Sequence, residues 1–379
     1  MLSPKTEAEL ADMVSAASTP LRVVGGGTRA IGRVGTGETL STGGLSGIEL
    51  YEPGALTLVA KAGTPLAEVE AVLASEGQGL PFEPPNMAHV LGRTGETTIG
   101  GVVAANASGP SRFQAGACRA SLIGVRYVDG SGTVVKNGGR DMKNVTGYDH
   151  VKLMAGSWGT LGVLSEVSFK VLPKLISATG AVGGLGVAAA RDAMTKATTS
   201  PYDVTGAAYV PGEAVYLRVE GLQASVAYRV QDLQSLIGGE INVINDPEGS
   251  SALWTRLRDV EDFATDTTAL WRVSMKPSDM VDAFLTQDVM PIPFDYGGGL
   301  AWVRVASDVH SDVIAFHETL QALCALNNRG HATLFKAPDA VLAQVSTFQP
   351  EAQGVAKLSQ ELRAKFDPRG ILNPGLMGA

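Results

Sequence analysis

The sequence predicts an α+β protein of two domains. Three observations predict it: a length of 379 residues, a glycine-rich first half in which short strands alternate with turns, and a second half in which strands alternate with helices. Cores of ordinary size close at roughly 100 to 200 residues, so a chain this long divides. With 45% hydrophobic and 18% charged residues, the composition is that of a packed protein and excludes global disorder.

Residues 4–17 read as a helix, with Ser3 as cap, Pro4 in the first turn and Leu10, Met13, Val14 and Ala17 at helical spacing. A strand at 21–24 runs into Gly25-Gly26-Gly27-Thr28. A second strand at 56–60 leads to a helix opened by Thr64-Pro65 and closed near Gly77. From Phe82 to Val171 turns and strands dominate: fifteen glycines lie between Gly92 and Gly162, around a hairpin of 124–128 and 133–136 turned by Asp129-Gly130-Ser131-Gly132. After Pro173-Lys174 comes a small-residue stretch to about Ala190. Strands are then expected at 214–220, 240–245, 268–275, 299–305 and 331–335, with helices at 223–236 and 309–326. A last helix at 351–366 precedes Asp367-Pro-Arg-Gly-Ile-Leu-Asn-Pro-Gly375, which is turn chemistry. The expected division is 1–174, itself split near residue 80, then 175–330, then a segment 331–379 that returns to the first domain.

Thirty basic against thirty-eight acidic residues give a net charge of −8, which leaves no electrostatic footprint for nucleic acid or anionic lipid. Cys118 and Cys324 are the two cysteines, too few for a disulfide scaffold, a zinc knuckle or a four-thiolate iron–sulfur cluster. The opening Met-Leu-Ser-Pro-Lys-Thr-Glu lacks the order of a signal peptide, and no run approaches the ~18 apolar residues of a membrane span. A cytosolic location is expected. Asp129, Asp141 and Glu166 sit in turns without ligand spacing, so no metal is expected. Forty-six glycines, roughly 12% against a usual ~7%, imply backbone packed close to something.

Gly25-Gly-Gly-Thr-Arg-Ala30 satisfies G-x-G-x-x-A, with Glu49 at the distance of a ribose-binding acid, so a Rossmann NAD site has to be considered. That loop works by opening into a helix. Here Gly32, Gly35 and Gly37 follow, and no helix of useful length survives them. Two readings stay level on these residues: a nest of backbone N–H groups that holds a diphosphate without a helix dipole, or a tight turn. A second cluster, Thr97 to Gly109, mixes small residues with hydroxyls and an amide and has the character of a cofactor wall. A third, Gly156 to Glu166, leads into a strand and resembles the second.

These stretches, in this order, resemble the PCMH-type FAD-binding domain of the vanillyl-alcohol oxidase superfamily. The matching segments are Arg22 to Thr28, Ala62 to Leu66 with Gly79 to Pro84, Thr98 to Gly109, Gly139 to Asp149, Gly156 to Glu166 and Phe366 to Gly375. Phe82-Glu-Pro-Pro85 and Met142 to Asp149 are most similar to the E-type FAD-binding subunits of bacterial glycolate oxidases. The resemblance implies a two-subdomain FAD-binding domain and a smaller α+β cap domain with an antiparallel sheet. It assigns Gly25, Gly26, Gly27, Thr28 and Gly32 to the diphosphate, and Thr98, Gly100, Gly101, Asn106, Ser108 and Gly109 to the diphosphate and isoalloxazine. Gly156, Gly159, Gly162 and Val163 would hold the adenosine half, and Asn373 would approach the ring from the tail. Relatives that bind FAD covalently carry histidine where this chain has Thr28, so non-covalent FAD is expected.

Relatives that oxidise D-2-hydroxy acids carry a histidine-rich stretch near the end of the cap. This chain has Asn327-Asn-Arg-Gly-His-Ala332 there, and no evident base for a substrate hydroxyl. Tyr216-Leu-Arg218-Val219, Leu270-Trp-Arg272-Val273 and Trp302-Val-Arg304-Val305 place three arginines on one face of the cap sheet. In the resemblance that face looks onto the isoalloxazine. Arg218, Arg272, Arg304 and His331 are therefore the candidate catalytic residues, against the alternative of a solvated sheet face. The expected function is the FAD-binding subunit of a glycolate- or D-lactate-oxidising complex, with a D-type flavoprotein subunit and an iron–sulfur subunit as partners. Such a complex would lie in the cytoplasm or peripheral to the inner membrane. A self-sufficient FAD oxidase of a small 2-hydroxy acid and a non-catalytic assembly module of the same fold are the alternatives.

Overall fold

Thr6, rather than Ser3, starts the first helix. In the computed structural model, which describes residues 1–33, 35–139, 148–238, 240–244, 246–264, 268–284 and 292–378, that helix spans Glu7–Ala16, and the Thr6 side chain accepts a hydrogen bond from the Glu9 N–H. The residues ahead of it are drawn off as a bridge: Leu2 donates to Thr39 and accepts from Ser41. The motif at Met142 to Asp149 and Asp141 lie, but for Tyr148 and Asp149, outside the described residues.

The chain divides into two compact units. The first comprises 1–108, 116–174 and 351–379, and the second 109–115 and 175–350. The expected return at 331 comes twenty residues later, because Gly330–Lys336 is a strand of the second unit, paired antiparallel with Leu270–Met275. Glu351 begins the returning segment.

In the first unit, Leu21–Val24 pairs in parallel with Glu38–Ser41. A five-stranded antiparallel sheet runs in the order Ile48–Glu52, Thr57–Lys61, Val163–Lys170, Leu122–Val128, Val134–Gly138. Since Thr57–Lys61 pairs directly with Val163–Lys170, this sheet crosses the subdomain boundary expected near residue 80. Its core joins Leu58, Phe82, Ile99, Tyr127 and Phe169. The returning helix Gln353–Phe366 packs Leu362 and Phe366 against that core.

The second unit is one eight-stranded sheet, in the order Asn242–Ile244, Ile176–Gly183, Ala214–Gly221, Val204–Val210, Phe294–Asp295, Leu300–Arg304, Leu270–Met275, Gly330–Lys336, antiparallel at each pairing. Ile176–Gly183 and Val204–Val210 fall where the sequence offers small residues and no strand was expected. Close packing explains them: a Cβ on Gly180 would stand 2.8 Å from Ile241, and one on Gly206 2.7 Å from Trp254. Small side chains there let neighbouring elements approach the sheet.

Candidate functional site: a glycine-lined cleft

The Leu21–Val24 strand delivers the chain to Gly25–Thr28 at the floor of a cavity of about 200 Å³ that lies wholly within the first unit. Fourteen further residues of three other segments, 93–104, 157–164 and 373–376, share the lining, among them Thr98, Gly100, Gly101, Ser157, Trp158, Gly159, Gly162 and Asn373. The wall from 98 is a short helix, Ile99–Ala104, whose cap is Thr98; its hydroxyl accepts the Gly101 N–H at 3.3 Å. Thr28 and Thr97, both buried, share a hydrogen bond of 3.0 Å that ties the loop to this wall.

The glycines are there for two different reasons. A Cβ on Gly26 would stand 1.5 Å from the Glu96 carbonyl oxygen, and one on Gly100 2.7 Å from Ala62, so these positions are closed by protein against protein. Gly27 differs: its φ is +71° and a Cβ would meet nothing within 4 Å. It faces the open cleft.

The loop fits the expected diphosphate. Among the described residues, the backbone N–H groups of Gly26, Gly27 and Thr28 donate to no protein acceptor, and three consecutive donors of this kind form an anion-binding concavity. Arg22, Arg29, Arg33 and Arg93 line the same cavity, and among the described residues no carboxylate does. Sequence reasoning missed this cationic set, whose signal was the arginines flanking the glycine loop. Three of them have local anchors: Arg22 donates to Thr39 at 2.7 Å, Arg93 to the Ala30 carbonyl at 3.3 Å, and Arg29 to the Pro85 carbonyl. Ser157 also lines the cleft, and its hydroxyl has no hydrogen-bond partner among the described residues.

The cleft collects Gly25, Gly26, Gly27, Thr28, Gly32, Thr98, Gly100, Gly101, Gly159, Gly162 and Asn373 from the sequence-based candidates. It does not collect Asn106, Ser108, Gly109, Gly156 or Val163. Asn106, with φ of +47°, accepts from the Arg119 N–H at 3.0 Å, and Ser108 accepts from the Cys118 N–H at 2.9 Å. These two residues hold a turn. Val163 is buried in the core beneath the N-terminal helix, and Gly109 falls in the second unit. Burial pushes the Cys118 thiol far up its pKa range, against the charges of Arg29 and Lys152, so it stays protonated and unreactive.

In the second unit, Leu217, Val219, Trp271, Val273 and Val303 point into the core, which puts Arg218, Arg272 and Arg304 on the opposite face. They are not one cluster. Arg218 is 3% exposed, donates to the Thr205 hydroxyl and carbonyl at 3.2 Å each, and stacks 4.7 Å from the Trp254 ring. Arg304 stacks 4.0 Å from Phe263. Two strands, Val204–Val210 and Phe294–Asp295, separate Arg218 from the strand of Arg304. Arg272 turns instead toward Tyr296.

Among the described residues no group of three His, Cys, Asp or Glu side chains is placed to hold a metal ion, and no helix is long and apolar enough to cross a membrane.

Comparison with known proteins follows the same lines. The FAD binding domain family model matches residues 1–138. The glycolate oxidase subunit GlcE of Escherichia coli (strain K12) is 34% identical over 363 residues, covering 95% of this chain and 93% of that one. The glycolate oxidase subunit GlcD of Bacillus subtilis (strain 168) is 33% identical over 123 residues, 32% of this chain and 23% of that one. Among solved structures, an alkyldihydroxyacetonephosphate synthase superposes with a TM-score of 0.69 at 15% identity, covering 98% of this chain and 76% of that one. At that identity the likeness is one of fold.

Proposed function

The chain belongs to the family of the glycolate oxidase subunit GlcE, and from that membership we propose that it is the FAD-binding subunit of a glycolate-oxidising complex. The observation that carries the reading is the cleft: among the described residues, three backbone donors at Gly26, Gly27 and Thr28 without a protein acceptor, beside four arginines and no acid. Bound there, FAD supplies a ring that accepts a hydride equivalent and passes electrons on. Gly25 to Thr28 and Gly32 would hold the diphosphate through main chain, and the guanidinium groups of Arg22, Arg29, Arg33 and Arg93 would offset its charge. Thr98, Gly101, Gly159 and Asn373 would fix the rest of the dinucleotide.

Non-covalent attachment is supported by the lining, which among the described residues contains neither histidine nor cysteine. Two buried cysteines cannot hold an iron–sulfur cluster, so electrons would leave through a GlcD-like flavoprotein and an iron–sulfur subunit. A cytoplasmic location, with the complex peripheral to the inner membrane, follows as part of the same proposal. Asn327 to Ala332 offers no histidine pair for hydride chemistry on a hydroxy acid, which favours a subunit over a self-sufficient oxidase.

Purified protein is the test. It should be yellow, carry close to one FAD per chain, and release all of it on acid precipitation. Anaerobic glycolate should bleach the flavin when the partner subunits are present and leave it oxidised when they are absent. A colourless chain that FAD does not reconstitute overturns the proposal.

A further inference from the structure

The cleft has to admit an anion into a chain that repels anions. With a net charge of −8, the protein as a whole opposes the approach of a dinucleotide whose diphosphate is negative. The four arginines of the cleft meet that problem differently. Arg22 and Arg29 are half-buried, the first donating to the Thr39 hydroxyl and the second to the Pro85 carbonyl. Arg33 and Arg93 are exposed, yet both line the cavity.

Two segments that close on each other carry the exposed pair. A Cβ on Gly95 would stand 2.5 Å from the Gly26 carbonyl oxygen, so the stretch that begins at Arg93 is pressed against the glycine loop. Arg93 Nη2 donates to the Ala30 carbonyl at 3.3 Å, three residues before Arg33. The two cations therefore share one rim. Glu38 and Glu96, the acids that follow them in sequence, lie outside the lining, and Glu38 stands 3.5 Å from the N-terminal ammonium.

We propose that Arg33 and Arg93 form an electrostatic entry port that draws the anionic dinucleotide into the cleft, while Arg22 and Arg29 hold the diphosphate once it has arrived. Exposed charges act on an approaching ligand but add little to a docked one, because water and salt screen them. A half-buried charge does the reverse. Steering against the field of the whole chain works only over about a Debye length, which is why it needs a patch of surface with cations and no acids. The port stands on the first unit alone; FAD as the anion it admits rests on the function proposed above.

Stopped-flow association of FAD with the flavin-stripped full chain, followed by flavin fluorescence, tests the port at about 10 mM and about 1 M salt, where the Debye length is ~30 Å and ~3 Å. Attraction at the rim makes wild type bind more slowly as salt rises, whereas two like-charged bodies without such a rim bind faster. At the lower salt, Arg33→Gln and Arg93→Gln should each slow association about threefold and together about tenfold, and at the higher salt they should converge on wild type. Dissociation should change by less than about twofold in these variants and rise about fivefold or more in Arg22→Gln. Lys357→Gln, which removes an equal charge from the exposed side of the returning helix, should leave both rates as they are. Wild-type association that is flat or faster in salt, rim variants with wild-type association rates, a loss confined to dissociation, or equal slowing in Lys357→Gln would each overturn the port and leave the cofactor reading intact. A wild-type chain that takes up no FAD at any salt removes both.

Discussion

Asn373 lies 350 positions from Val23 in sequence, and its side-chain oxygen accepts the Val23 N–H at 2.8 Å. Its amide nitrogen donates to the Trp158 carbonyl at 2.9 Å, and its own N–H donates to Leu21 at 3.0 Å. One side chain thus joins the first strand, the third glycine cluster and the tail at the rim of the cleft. The preceding residues secure the tail. Arg369 donates to the carbonyls of Val14, Ser15 and Ala17 at the C-terminal end of the first helix, and to Gly130. Asp367 accepts the Leu372 N–H at 2.7 Å.

Asn373→Ala removes two hydrogen bonds, worth about 1 kcal/mol each, and puts alanine at a φ of +44°. Stability should fall by about 2–3 kcal/mol, and FAD occupancy should fall with it. Asn373→Gly relieves the backbone and not the side chain. It should recover part of the melting temperature and little of the flavin, as absorbance at the flavin band against protein would register.

Gly26→Ala and Gly27→Ala should fail in different ways. The Gly26 variant drives a methyl into the Glu96 carbonyl and should lower expression and melting temperature whether or not FAD is supplied. The Gly27 variant meets no atom and pays only the left-handed backbone, about 1–2 kcal/mol. It should fold and bind FAD at least about tenfold more weakly, because the methyl occupies the ligand side of the loop. Identical behaviour of the two variants in a flavin titration contradicts this division.

His317 gives the core a pH dependence. The Trp271 indole N–H donates to His317 Nδ1 at 3.0 Å, so the ring proton sits on Nε2, which is buried with no partner among the described residues. Desolvation lowers the His317 pKa from 6.5. The unfolded chain therefore takes up a proton first as pH falls. This contribution to stability is present above about pH 6.5 and is lost below it, toward the folded value. His317→Gln keeps an acceptor for Trp271 and removes the titration. The difference in unfolding midpoint between wild type and variant, followed from pH 8 to 5.5, should move against wild type on the acid side; a constant difference rules the effect out.

Glu7 anchors the N-terminal helix to the sheet. It accepts from Arg126 Nε at 3.0 Å and Nη2 at 2.5 Å and from the Ser165 hydroxyl at 2.6 Å. The Arg126 hydrogen bonds hold its pKa below 4.5, against burial. That stability is present above pH 4.5 and is lost as pH falls through the folded value. Glu7→Gln should cost about 1 kcal/mol at pH 7, discounted for partial exposure, and less at pH 3.5, as urea midpoints at the two values would show.

Local pattern carried much of this protein. The helix closed near Gly77, the hairpin around Asp129 to Gly132, whose carboxylate accepts from Ser131 and Thr133, and most cap strands were legible because turn residues and alternation act within a few positions. The glycine loop was legible too, but not its reasons. Nothing near Gly26 in sequence announces that the Glu96 carbonyl closes on it while Gly27 looks outward, or that Arg93 arrives from elsewhere to join Arg29 at the same cavity. Ile176–Gly183 was lost to its small side chains, whose purpose appears only when Ile241 packs on them.

By itself, then, the sequence determined which segments combine free backbone, charge and hydrogen-bonding capacity, since residue type and short-range spacing set those properties, and the resemblance those segments carry implied the cofactor. Only the tertiary structure decided which of those residues meet. Asn373 reaching Val23, Arg272 reaching Tyr296, and Arg218 being spent on Thr205 and Trp254 all depend on strand pairing between distant positions. That pairing is chosen by the burial of whole faces, and no local signal encodes it.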